Sequence, residues 1–188
     1  MIAEFAIVRL KEINDRLLYT DDLVEEDMQF LYKCLHHENQ KVVHGSIILI
    51  TELKKDYILP VIHNFSSFSL QQKKTILPIL MVCNFMEPYK FLLDYLKTVK
   101  DDEFALFIVI CLSNTDYFIF PLILVRLDTD NLIYKGRLKE ILRRIGYSSL
   151  EKYLVLLPEL VYENDFRDVF GQEKINQLKL VISQKNNP

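Results

Sequence analysis

Glycine and proline are scarce in this chain, four and six among 188 residues. Tight turns between β-strands draw heavily on both, because glycine supplies positive φ and proline presets the turn angle. A β-rich fold is therefore disfavoured and helices are expected. So few glycines cannot furnish phosphate-cradling loops, and neither GxGxxG nor GxxxxGK[ST] occurs. GxSxG nucleophile elbows are missing too, and His37-Glu38 continues as Asn39-Gln40-Lys41, so there is no HExxH helix. Cysteines number three, Cys34, Cys83 and Cys111, without CxxC spacing. They read as reduced, buried thiols in a cytoplasmic setting. Runs long enough to cross a bilayer are also lacking: FALFIVICL (104–112) and YFIFPLILV (117–125) have nine residues each, where about twenty are needed. The two runs are expected to form a hairpin of buried helices. The opening MIAEFAIVRLKE has neither the basic region nor the cleavage site of a secretory signal and reads as an amphipathic helix.

Hydrophobic residues make up half of the chain and charged residues a quarter, enough to bury the core of one domain over 1–188 without disulfides or metals. The net charge is −3, which argues against a dedicated nucleic-acid binder. Charge is unevenly spread: residues 1–38 carry −5 and residues 131–160 carry +3.

A phrase recurs along the chain. DYILPVI at 56–62, EPYKFLL at 87–93 and DYFIFPLI at 116–123 each set an acid and a tyrosine before an apolar run. Aligned on it, the chain divides into repeats at 39–68, 69–100, 101–130 and 131–164. Each opens on a polar residue suited to cap a helix, Asn39, Ser69, Asp101 or Asn131, whose side-chain oxygen can accept a free first-turn amide hydrogen. An apolar helix follows, then a short break (KKD, NFMEP, SNTD, GYSS) and a second helix. Val43, Ile47, Ile50 and Leu53 recur at helical spacing, as do Leu138, Ile141, Leu142 and Ile145. Arg137, Lys139, Glu140, Arg143 and Arg144 take the opposite face of the last set. Gly146 suits the left-handed residue that ends that helix. Residues 1–38 form an acidic helical pair, and 165–188 a further helix and tail.

One such pair cannot hide its apolar face alone and must stack on its neighbours. The unit length, the two-helix rhythm and the proline early in the second helix, at Pro60 and Pro121, resemble HEAT repeats of the short, thirty-residue kind. Armadillo or another α-solenoid fits the same rhythm. The resemblance covers 39–164 well and 1–38 loosely. It implies an all-α, right-handed superhelix of about five helix pairs plus a C-terminal helix, with the second helices lining a concave groove.

Candidate sites are few. The second helices would present Tyr57, His63, Tyr89, Lys90, Asp94, Lys97, Arg126, Lys152 and Tyr153 to a partner, with tyrosines burying its apolar groups and cations pairing its acids. A second surface is the basic stripe of Lys135, Lys139, Arg143 and Arg144, with Arg137 and Lys152. It could meet phosphates or simply be a solvated helix face. Some DNA glycosylases that remove alkylated bases resemble this arrangement. They differ from a chain that has no tryptophan and a negative balance. His37 and His44, with Glu38, could approach a zinc arrangement, although ordinary polar residues at a helix end fit as well. In the run Asp21-Asp22-Leu23-Val24-Glu25-Glu26-Asp27, Asp21 or Asp22 can cap a helix while Glu25, Glu26 and Asp27 complement its dipole from exposed first-turn positions. Cys83 and Cys111 lie in apolar stretches that give a thiol no activation.

The expectation is a non-catalytic module that needs no cofactor and no metal and holds a peptide or helix of another protein. A nucleic-acid-binding or base-excision role through 135–152 is the alternative. An inhibitor or immunity-type protein, its acidic end acting as a decoy, is a third reading, and an apolar end helix leaves a homodimer open.

Overall fold

The computed structural model describes residues 1–19, 23–53, 55–83, 85–115, 119–145 and 164–186, and every regular element among them is helical. The chain divides into two compact units, Met1–Phe91 and Leu92–Pro188.

The first unit contains α1 (Ala3–Leu17), α2 (Glu25–Cys34), α3 (Gln40–Glu52), the short α4 (Leu59–His63) between two 3-10 turns, and α5 (Leu70–Leu80). α6 (Glu87–Leu96) follows. Helix α3 is central, packing against α1, α2 and α5. Its Val43, Ile47 and Ile50 are fully buried, with Ala6 and Ile13 of α1, Leu31 of α2, and Ile76 and Leu77 of α5. Each of these valine, leucine and isoleucine side chains contributes about 1.5–3 kcal/mol of burial. Gly45 permits the close fit of α1, since a Cβ there would stand 3.3 Å from Leu10 Cδ1. Ser46 is buried beside it and donates to the Leu31 carbonyl at 2.6 Å. Phe65 meets Phe68 and Phe91 edge-on, and His36 lies against Phe68.

The second unit holds α7 (Asp102–Ser113), α8 (Phe120–Leu127), α9 (Leu132–Arg144) and α10 (Asn164–Asn186). Helix α9 packs on α7, α8 and α10, and Leu138, Ile141 and Leu142 are buried, as are Ile108 and Leu112 of α7 and Ile123 of α8. The C-terminal helix is not continuous. Gly171 breaks α10 with φ 74° and ψ 159°, a backbone state that only glycine adopts readily.

The repeat boundaries coincide with helix caps. Asn39 accepts from the Lys41 amide, Ser69 forms a reciprocal capping box with Gln72, Asp101 accepts from Phe104 N, and Asn131 from Tyr134 N. These caps follow one another at 30, 32 and 30 residues. Pro60 and Pro121 stand in the first turns of α4 and α8, where their missing N–H groups cost nothing.

Several expectations need correction. Helix α2 starts from Val24, in extended conformation and without a side-chain cap; Asp21 and Asp22 lie outside the described residues, as does Gly146. Asp27 is no exposed first-turn acid. It is fully buried, with Arg9 Nη2 at 2.9 Å from one carboxylate oxygen and Arg16 Nη2 on the other. The two guanidiniums keep a charged group in the interior by pairing it. The apolar run 104–112 is not wholly buried either, since Leu106 and Ile110 of α7 reach the surface.

Candidate functional site

Tyr57, His63, Tyr89 and Lys90 belong to the first unit and Asp94, Lys97 and Arg126 to the second; Lys152 and Tyr153 lie outside the described residues. His63, Lys90 and Lys97 are exposed and Tyr57 half-buried. Tyr89 is a core residue, a correction to its expected place on the binding surface. Only 3% of it is exposed, and its hydroxyl donates to the Met81 carbonyl at 2.5 Å. Burial pushes that phenol above its ordinary range.

Arg126 already has its acid. Nε and Nη2 reach the two oxygens of Asp94 at 2.7 and 3.0 Å, and Nη1 donates to the Leu122 carbonyl at 2.9 Å. Two residues expected to meet a partner's charges thus satisfy each other in a bidentate pair. Beside them Tyr134 is buried against the Arg126 guanidinium, its hydroxyl making no hydrogen bond of normal geometry among the described residues. Burial raises this phenol to about 12, against the opposing field of Arg126.

The basic stripe of α9 is likewise occupied within the chain. Arg137 donates through Nη1 to the carbonyls of Leu96 (2.9 Å) and Val99 (2.8 Å), and through Nη2 to Asp102 (3.0 Å). It thereby closes the C-terminal end of α6, where backbone carbonyls run out of helical donors. Lys139 pairs with Asp168 at 3.3 Å, Arg144 with Glu140 at 2.7 Å, and Arg143 contacts Glu140 and the Val169 carbonyl. Lys135 is half-buried.

His37 is engaged through both ring nitrogens. Nδ1 accepts from the Asn39 amide at 2.9 Å, so Nε2 carries the proton and donates to the Met1 carbonyl at 2.9 Å. His44 is exposed, beside a shallow cleft of about 400 Å³ lined by Gln40, Lys41, Gly45 and Thr75. A tighter pocket of about 150 Å³ lies between Tyr32, Leu35, His36, Pro60 and Phe68. No group of three potential metal ligands occurs among the described residues. All three cysteines are buried, and burial pushes each thiol up to about 11. At neutral pH they are poor nucleophiles. No described helix is long and apolar enough to cross a membrane.

What sequence reasoning missed lies between α7 and α9. A groove of about 270 Å³ lies there, lined by the apolar Ala105, Leu106, Val109 and Ile133, by Gly136, and by the charged Asp102, Arg137 and Glu140. Ile133 is 71% exposed and Leu132, one residue before it, 80%. Ile110 continues the line of Leu106 one turn on. The signal was present in NLIYKGRLKE: two aliphatic residues at the start of the helix lie off the stripe of Leu138, Ile141 and Leu142, and a glycine sits mid-helix. No family model, curated protein or solved structure matches this chain.

Proposed function

We propose that the chain is a non-catalytic protein-binding module built as a right-handed, HEAT-like α-solenoid in a reducing, cytoplasmic setting. Support for the solenoid comes from the four capped first helices at near-constant spacing. Within each unit, first helix also packs on first helix, α1 on α3 on α5 and α7 on α9, as stacked two-helix repeats require.

The observation that carries the binding role is the apolar groove between α7 and α9. Monomeric proteins expose apolar side chains singly, whereas a contiguous set rimmed by charge marks an interaction site. Leu106 and Ile133 line such a groove, with exposed Ile110 one turn from Leu106 and exposed Leu132 next to Ile133, the shape that receives the apolar face of another helix. The binding surface is thus assigned to first helices, not to the second helices that the repeat pattern suggested. A nucleic-acid or base-excision role is less well supported, because Arg137 and Lys139 of the stripe are held by carbonyls and a carboxylate of the same chain and the net charge is −3. The decoy reading loses Asp27, which is buried.

Capture of partners on immobilised chain tests this reading. A partner retained by the wild type is expected to be lost with Ile133→Glu and kept with Val125→Glu, a change at an exposed apolar residue of α8. Equal retention by both variants would rule out this face.

A further inference from the structure

Gly136 lies in the middle of α9, where glycine weakens a helix relative to alanine. Nothing among the described residues calls for it. A Cβ built at Gly136 meets no atom within 4 Å, unlike one at Gly45, which would press on Leu10. The bare backbone is turned outward, on the face that exposes Leu132 and Ile133. Along this stretch the charges are sorted. Asp128 and Asp130 are exposed before the start of α9, and Arg143 and Arg144 are exposed in its last turn. An acid at one end and a base at the other make the stripe complementary to its own reversed copy.

We infer that α9 packs antiparallel across α9 of a second copy of this chain, the two helices crossing at Gly136. The inference rests on the protein-binding reading of the same face and names its partner. A two-fold axis through the crossing makes the contact isologous, with residues i and j facing when they are placed symmetrically about Gly136. Arg143 and Arg144 then come to the end of the second copy's helix that Asp128 and Asp130 precede, in the turn before its α9. The two arginines stand roughly 10–12 Å along the helix from the crossing, seven and eight residues at 1.5 Å each. Glu140 occupies part of each guanidinium, and an arginine has five N–H donors to share. At the centre, two glycines allow close approach of the backbones, and the second copy's Ile133 drops into the groove beside Leu106. Opposed macrodipoles add to the match. The face is about 20 Å long and two helices wide, roughly 400 Å² per copy. That is small for a permanent dimer and suits a weak, transient one.

Sedimentation of the full chain from 1 to 200 μM tests the inference. The wild type is expected to shift from the mass of one chain to that of two as concentration rises. Gly136→Leu should remain monomeric throughout while keeping the wild-type helical circular dichroism, since its side chain meets open space within the chain. A pair of charge variants provides the specific check. R143E/R144E and D128R/D130R should each lose self-association at least tenfold, through like charges at both ends. Mixed one to one, they should associate again, because every end contact is then opposite in sign. A wild type that stays monomeric to 200 μM overturns the inference, as does dimerisation unchanged by Gly136→Leu or a mixture that fails to pair. If the wild type is monomeric yet captures another protein in a manner lost with Ile133→Glu, self-pairing fails while the binding face stands. If neither occurs, both fall.

Discussion

Replacing Arg137 by methionine isolates what this side chain does for the second unit. Its ion pair with Asp102 is the feature a surface-charge reading would credit, yet Asp102 is 94% exposed while Arg137 is 14% exposed. An exposed carboxylate adds only about 0–1 kcal/mol to such a pair. The weight lies on the other nitrogen, which meets the carbonyls of Leu96 and Val99 at 2.9 and 2.8 Å. Hydrogen bonds to a charged group contribute about 1.5–3 kcal/mol each, so losing two of them costs about 3 kcal/mol at the low end of the range. Methionine keeps most of the apolar stem, so packing losses are small. Urea unfolding followed by circular dichroism should show this loss. Thermal unfolding should show a fall in Tm of roughly 6–12 °C, taking about 2–4 °C per kcal/mol for a chain of this size. Asp102→Ala, by contrast, should cost no more than about 1 kcal/mol, even counting its place in the first turn of α7. Arg137→Lys should fall between the two, since a single ammonium cannot reproduce the planar fork. If Arg137→Met and Asp102→Ala cost the same, the carbonyl-capping account is wrong and the residue is an ordinary surface ion pair.

Two further outcomes follow from buried groups. Cys34, Cys83 and Cys111 titrate near 11 in the folded chain, against an ordinary value of 9. The unfolded chain therefore releases its thiol protons first. This contribution to stability is intact below about pH 8, declines from about pH 9 to pH 11 and falls no further above that. The measurement is urea unfolding across that range, together with a thiol reagent that labels the native protein slowly at pH 8 and the unfolded chain at once. A flat profile, or fast labelling of native protein, would contradict the buried placement. Tyr134→Phe should stabilise the fold by about 1 kcal/mol, because it removes a buried hydroxyl that no described residue bonds at normal geometry; a loss of similar size would mean that the hydroxyl is bonded, with the Arg126 guanidinium beside it as the donor.

Much of the local structure was legible from residue order. Asn39, Ser69, Asp101 and Asn131 cap helices where the repeat predicts, since a cap is a bond between a side chain and an amide two or three residues on. Core stripes such as Val43, Ile47 and Ile50 were equally plain, because helical period decides which residues share a side. Interactions of such short range are written in the sequence itself. Tertiary packing decided which sides are covered and which charges are spent. Tyr89 and Asp27 went inside, Arg126 took Asp94, and Arg137 took the end of α6, each through neighbours 8 to 41 residues away. Leu106, Ile110 and Ile133 stayed outside because the helices beside them cover only part of a wide apolar surface. Burial and pairing depend on what lies opposite in space, and periodicity, which is blind to distant neighbours, cannot say which apolar face remains for a partner.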